Sequence, residues 1–236
     1  MPVRAILFDA VGTLIYPDPP VAKAYASAAA RFGVEFAEQE IIGRFSTAFA
    51  REEAIGRANG GVTSQTREVS RWRAIVADVF RDAVSKAAIC DEIFADLWRH
   101  FAQPESWHVD PEAAACWQAL AERGLLVGIA SNFDDRLIEI ARHLPPLDRA
   151  RHLFISARIG YRKPAPQFFR AIERDLGIEA RELLSVGDEF ENDYLGAKAA
   201  GWQSLLLSVG EPRADVPTGD IIASMSELPK CLERRL

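Results

Sequence analysis

The 236-residue sequence predicts an α/β protein: a doubly wound parallel sheet with a helical unit inserted after its first strand. Three observations carry this. Short apolar runs bounded by Gly, Asp, Ser or Asn recur at residues 3–8, 125–130, 153–156, 183–186 and 203–207. Runs of that length without polar alternation are the pattern of strands buried on both faces. Amphipathic segments separate the later runs, and strand–helix alternation implies a parallel sheet. From Asp18 to about Trp107 the strand texture gives way to helical periodicity.

Taken in order, the run from Val3 places Asp9 at the carboxyl end of the first strand, the edge where open α/β sheets bind ligands. The helical stretch that follows is broken near Gly33, Asn59-Gly60-Gly61 and Pro104. Val69, Trp72, Val76, Val79, Phe80 and Ala83 mark one apolar stripe in it, expected to pack inside a helical bundle rather than to hold a cofactor. With hinges near Pro17–Pro20 and Pro104–Pro111, the expected division is a core of residues 1–16 and 108–236 and an inserted unit of residues 17–107. Beyond it, helices are expected at 134–143 and 165–176, where Phe168, Phe169, Ile172 and Leu176 share one face.

Composition narrows the function. A net charge of −6 and a pI near 5.4 disfavour nucleic acid bound through a basic patch. No apolar run reaches membrane-spanning length, and the amino-terminal residues lead into a strand without a secretory apolar region. Cys90, Cys116 and Cys231 are odd in number and widely spaced, which suits reduced thiols in a cytoplasmic protein. Lysine is scarce, confined to Lys23, Lys86, Lys163, Lys198 and Lys230, so a lysine inside a motif stands out.

Four sites fall where strands should end. The first is Asp9-Ala10-Val11-Gly12-Thr13: a carboxylate that can act as nucleophile, followed by N–H groups and a hydroxyl suited to a phosphate-like anion. The second is Ser131-Asn132, able to hold a phosphoryl oxygen or, as ordinarily after a strand, to cap a helix. The third is Gly160-Tyr161-Arg162-Lys163-Pro164, whose Lys163 can reach the same edge and offset the nucleophile's charge. The fourth is Gly187-Asp188-Glu189-Phe190-Glu191-Asn192-Asp193. With Asp188 at a strand tip and Asp193 in the next helical turn, both carboxylates can face one hard cation such as Mg²⁺.

In this order the four sites resemble the haloacid dehalogenase-like hydrolases, the branch with a helical cap inserted after the first motif on a Rossmann-like core. The resemblance covers nearly the whole chain. It implies a small-molecule phosphatase, a phosphoric monoester hydrolase, with Asp9 as the nucleophile that forms an aspartyl-phosphate. It implies that Thr13, Ser131, Asn132 and Lys163 bind the phosphoryl group. Mg²⁺ would be held by Asp9, the Val11 backbone carbonyl, Asp188 and Asp193, with Asn192 and Gly12 supporting them. The partner implied is a small phosphorylated substrate; the oligomeric state is left open.

Val11 departs from the family pattern. Family phosphatases carry a second Asp there to protonate the leaving oxygen and activate water, help worth about 10²–10⁴-fold in rate. A substrate with a good leaving group would do without it; alternatively Tyr16, Asp18 or Glu191 supplies the proton, or the reaction is slow. Family dehalogenases carry Tyr at that position, use no metal and lack the counterpart of Asp188, so dehalogenation is the weaker reading. Phosphonate-cleaving members use a cap lysine, for which only Lys23 and Lys86 qualify. A phosphate-binding switch with at most one turnover is the non-enzymatic alternative. Cap residues set the substrate, and Arg44, Arg71, Trp72 and Trp107 are candidates to face it.

Overall fold

A computed structural model describes residues 2–81, 87–208 and 213–233. In chain order the elements are β1 (Ala5–Phe8), β2 (Ile15–Pro17), α1 (Val21–Ala30), α2 (Glu38–Ala58), α3 (Gln65–Phe80), α4 (Ala87–His100) and β3 (Trp107–Val109). There follow α5 (Pro111–Glu122), β4 (Leu126–Ser131), α6 (Arg136–His143), β5 (Leu153–Ile155), α7 (Ser156–Ile159), α8 (Pro166–Leu176) and β6 (Leu183–Gly187). A π-helical turn (Phe190–Leu195) leads into α9 (Gly196–Ala199), β7 (Gln203–Leu207), β8 (Ile221–Ile222) and α10 (Leu228–Leu232). Lys86 and Ala83 lie outside the described residues.

The parallel sheet has the order β5-β4-β1-β6-β7-β8, so the α/β expectation holds. β1 is central because it is apolar on both faces: all of Ala5–Phe8 is buried. Phe8 packs with Val127, Ile129 and Trp117 on one side, while Leu7 joins Phe168, Phe169 and Ile172 on the other. Register then aligns the strand tips. Phe8 lies opposite Ile129 and Val186, and the Asp9 N–H donates to the Val186 carbonyl at 2.9 Å. Asp9, Ser131 and Asp188 therefore leave the sheet at neighbouring tips.

Several boundaries shift from expectation. The first strand begins at Ala5 rather than residue 3. The helix expected at 134–143 begins at Arg136, because the Asp134 carboxylate accepts the Arg136 N–H at 3.1 Å and turns the chain first. Ser156 starts α7 instead of ending β5; its hydroxyl donates to the Phe133 carbonyl at 3.1 Å. β8 and the β2–β3 ribbon were not anticipated, since elements of two or three residues carry no periodicity.

Helices α1–α4 form the insertion around a core of their own, built from Tyr25, Ile41, Val76, Val79, Phe80, Ile93 and Leu97. The chain enters and leaves it through antiparallel β2 and β3, paired Ile15–Val109, Tyr16–His108 and Pro17–Trp107. The expected 16/17 and 107/108 boundaries fall inside this ribbon. A second connection is a backbone bridge between Val62 and Tyr161. There Arg162 N–H donates to the Gly61 carbonyl at 2.8 Å and Thr63 N–H to the Gly160 carbonyl at 3.0 Å. The loop carrying Lys163 is thus stitched directly to the inserted helices.

Candidate active site

The sheet edge gathers what the sequence scatters. Asp9, Asp188 and Asp193 each bring a carboxylate oxygen to within 4.8 Å of the others. Lys163 lies among them, buried, with Nζ donating to Asp9 Oδ1 at 2.7 Å, Asp193 Oδ1 at 2.5 Å and the Ala130 carbonyl at 2.7 Å. Burial disfavours the lysine's charge, but Asp193 and Asp9 outweigh it and hold the ammonium above its ordinary value. The carboxylates outnumber the ammonium, and the excess shows. Burial, then the charge of Asp9, pushes Asp188 up to about 6. Burial raises Asp193 to about 7 against the pull of Lys163.

Backbone geometry makes this density of oxygen possible. Gly12 has φ +88°, and a Cβ there would strike the Asp188 carboxylate. A Cβ on Gly187 would strike Asp193 in the same way. The π-helical turn after β6 brings Asp193 back under the sheet tip, where its Oδ2 accepts the Glu189 N–H at 3.1 Å. Turns of this kind are frequent at functional sites.

The remaining expected residues divide. Ser131, Asn132, Asn192, Gly12 and Val11 line one cavity of about 320 Å³ with Asp9, Lys163, Asp188 and Asp193. Asn132, expected on phosphate, spends its amide on the neighbouring main chain: Oδ1 accepts Lys163 N–H at 2.7 Å and Nδ2 donates to the Lys163 carbonyl at 3.0 Å. Thr13 lies outside the lining, and its hydroxyl donates to Asp188 Oδ1 at 3.0 Å. The N–H groups of Gly12 and Thr13 are also engaged, by the carbonyls of Ile15 and Ala10. The tight turn closes on itself, so its donors serve the turn before any anion. The Asn192 Oδ1 is buried without a hydrogen-bond partner.

None of the three nominated proton donors lines the cavity. The Tyr16 hydroxyl donates to the Gly12 carbonyl at 2.7 Å, Glu191 pairs with Arg57 at 2.8 Å, and Asp18 is exposed. Of the cap candidates, Arg71, Trp72 and Trp107 reach the lining; Arg44 instead pairs with Glu40 and donates to the Val79 carbonyl. Lys23 is exposed on α1.

Sequence reasoning missed a second buried charged cluster in the same wall. Arg162 donates to Glu68 Oε1 and Glu53 Oε1, both at 2.7 Å, and Arg71 also bonds Glu53. Burial alone would raise Glu68, but Arg162 and Arg71 outweigh it and hold the carboxyl below its ordinary value. A hint was available: Glu68 and Arg71 are spaced i,i+3 on a helix, and Arg162 adjoins Lys163.

Comparisons with known proteins agree with this geometry. Residues 3–201 match the family described as haloacid dehalogenase-like hydrolase. Haloacid dehalogenase-like hydrolase domain-containing protein 3 of Mus musculus is 29% identical, covering 98% of this chain and 94% of its own. Two solved structures share the fold: the defluorinating L-2-haloacid dehalogenase Rha0230 and the magnesium-bound HAD-hydrolase YfnB of Bacillus subtilis. The first has TM-score 0.74 at 22% identity, covering 98% of this chain and 95% of that one. The second has TM-score 0.73 at 18% identity, covering 98% and 99%. With the four motifs converging on one sheet edge and the family matched over most of its length, the chain belongs to the haloacid dehalogenase-like hydrolases.

Proposed function

We propose that the protein is a Mg²⁺-dependent phosphohydrolase of small molecules, acting in the cytoplasm through an aspartyl-phosphate on Asp9. The observation that carries this reading is the charge surplus at the sheet edge: Asp9, Asp188 and Asp193 against the ammonium of Lys163. Carboxylates so close are costly unless a cation joins them. The donor set suits a hard one: the oxygens are carboxylates, and the Val11 carbonyl accepts no hydrogen bond among the described residues. Asp9, Asp188, Asp193 and the Val11 carbonyl would hold Mg²⁺, which when bound would offset charge on the transferring phosphoryl group. The same surplus argues against dehalogenation of a 2-haloacid, whose own carboxylate would meet an anionic edge.

The chain's own groups account for the rest of the chemistry. Lys163 takes only Oδ1 of Asp9 and so leaves Oδ2 free to attack phosphorus. Asn132 fixes the main chain of Lys163 and thereby the ammonium that orients the nucleophile. Ser131 lines the cavity beside them and can bind a phosphoryl oxygen. Val11, at the position of the usual acid–base group, can neither donate nor accept a proton through its side chain. That one feature favours a second reading, a phosphate-responsive binding protein that turns over at most once.

A panel of phosphate esters assayed with Mg²⁺ and with EDTA separates the possibilities. Multiple turnovers with Mg²⁺ and none in EDTA are expected. Full activity in EDTA would overturn the metal assignment, and a single-turnover burst would favour the binding protein. Val11→Asp is expected to speed hydrolysis of alkyl esters by about 10²–10⁴-fold, the usual worth of general acid–base catalysis.

A further inference from the structure

The cavity itself constrains what the phosphate can be attached to, and three features agree. The first is its helical side, which is aromatic. Phe45 and Phe49 of α2 and Trp72 of α3 line it and pack on one another with ring centroids 5.8–6.4 Å apart. Tyr25, Trp107 and Phe133 extend the same surface.

The second feature is that the cations of this wall are already committed. Arg71 bonds Glu53, Arg162 bonds Glu53 and Glu68, and Arg136 bonds both oxygens of Asp134. Arg71 keeps its Nε–H buried without a hydrogen-bond partner, but its charge is already met by Glu53 and Glu68, so among the described residues the lining guanidinium groups bring no surplus positive charge for a second anionic group on the substrate. Pulling one away would strand a buried carboxylate. Of the uncharged polar side chains of the lining, Ser131, Asn132 and Asn192 belong to the sheet edge and Tyr25 brings one hydroxyl to the helical side, so a polyhydroxylated group would leave most of its hydroxyls unmatched against aromatic rings.

The third feature is Val11, which cannot protonate a departing oxygen. An aliphatic alcohol is about as weak an acid as water and leaves poorly as its anion. A phenol, with a pKa of about 10, leaves as its anion far more readily. Resting on the phosphohydrolase reading, we propose that the leaving group is an uncharged aryl alcohol, so that the substrate class is the monophosphate ester of a phenolic hydroxyl. The ring sits among Phe45, Phe49 and Trp72. Asp9 Oδ2 bonds to phosphorus as the phosphorus–oxygen bond to the ring breaks, and the electron pair leaves on the phenolate oxygen, which takes a proton from water. Water then attacks the aspartyl-phosphate, releasing inorganic phosphate and restoring Asp9. The sum is aryl phosphate plus water giving phenol plus phosphate.

The test compares 1-naphthyl phosphate, (1-naphthyl)methyl phosphate and a hexose 6-phosphate with the Mg²⁺-loaded protein. A parallel calorimetric titration uses (1-naphthyl)methylphosphonate and inorganic phosphate. Naphthyl phosphate is expected to exceed each of the other two esters in kcat/KM by about 100-fold or more, in line with an unassisted leaving group. Trp72→Ala is expected to weaken the phosphonate about tenfold and leave inorganic phosphate unaffected; Phe49→Leu provides the same reading should Trp72→Ala fail to fold. Equal turnover of the naphthylmethyl or hexose ester overturns the aryl assignment and leaves the phosphohydrolase reading standing, as does phosphonate binding indifferent to both variants. If no ester turns over, the phosphohydrolase reading fails, and the titration alone then decides the aryl site: ring-dependent binding supports it and its absence removes it.

Discussion

Two charged clusters share one cavity wall and differ in their balance. At the sheet edge, Asp9, Asp188 and Asp193 surround Lys163. Between the inserted helices and the Lys163 loop, Glu53 and Glu68 alternate with Arg71 and Arg162. The second cluster is neutral, and Glu68 is held ionised below its ordinary range. The first carries excess negative charge, and Asp188 and Asp193 are pushed up toward neutrality. Unequal balance within one wall points to different work. Charge cancels in the second cluster, which suits a latch, whereas the first keeps a surplus that a cation would offset.

This contrast can be broken at several points. The largest effect is expected from Asp9→Asn. Turnover should fall on the order of 10⁶-fold, the scale for losing a nucleophile, while circular dichroism shows a folded protein. Folding survives because Lys163 keeps Asp193 and Asp188 loses a repelling neighbour. A large loss of fold instead would make the sheet-edge cluster structural.

Arg162→Ala should act oppositely, on stability first. Removing one partner of a buried pair costs about 3–5 kcal/mol, read by urea denaturation. Replacing Arg162 by Met together with Glu68 by Leu leaves Glu53 with Arg71 and should recover most of that loss. A double variant no better than the single one would mean that the latch is not governed by charge balance.

Mg²⁺ sharpens the comparison without any substrate. At a hundredfold excess over its dissociation constant it should stabilise the protein by about 2.7 kcal/mol, seen as a rise in Tm. Asp188→Asn should abolish most of the rise and Glu68→Gln should not touch it. The smallest effect concerns acid. Because Glu68 is held below its ordinary value of 4.5 when folded, its contribution is present above about pH 4.5 and lost as pH falls through the lower folded value. The unsubstituted protein should therefore lose more stability on acidification than Glu68→Gln, measured as Tm against pH.

Legibility followed length and local pattern. Continuous apolar runs made β1, β4, β6 and β7 visible, and i,i+4 spacing exposed α8 through Phe168, Phe169, Ile172 and Leu176. β8 and the β2–β3 ribbon were invisible because pairing, not composition, makes them strands. Asp9, Lys163, Asp188 and Asp193 were legible through the residues flanking them, and the structure brings all four together. The partners of Asn132 and Thr13 were not, because an amide or hydroxyl finds the nearest complementary group in space. Tyr16, Asp18 and Glu191 lie near the site's acids in sequence, and none of them lines the cavity.

By itself the sequence determined the parallel sheet, the place of the helical insertion and the identity of the sheet-edge acids, since each depends on local periodicity or on residues beside a strand end. It also determined that position 11 carries no acid. Only the tertiary structure decided that Arg162 ties the Lys163 loop to Glu53 and Glu68, residues about a hundred positions earlier in the chain. It alone decided that Phe45, Phe49 and Trp72 face the cavity that Asp9 lines. The reason is physical: which face of an inserted helix turns toward a distant sheet edge depends on long-range packing and charge pairing, and no local pattern encodes it.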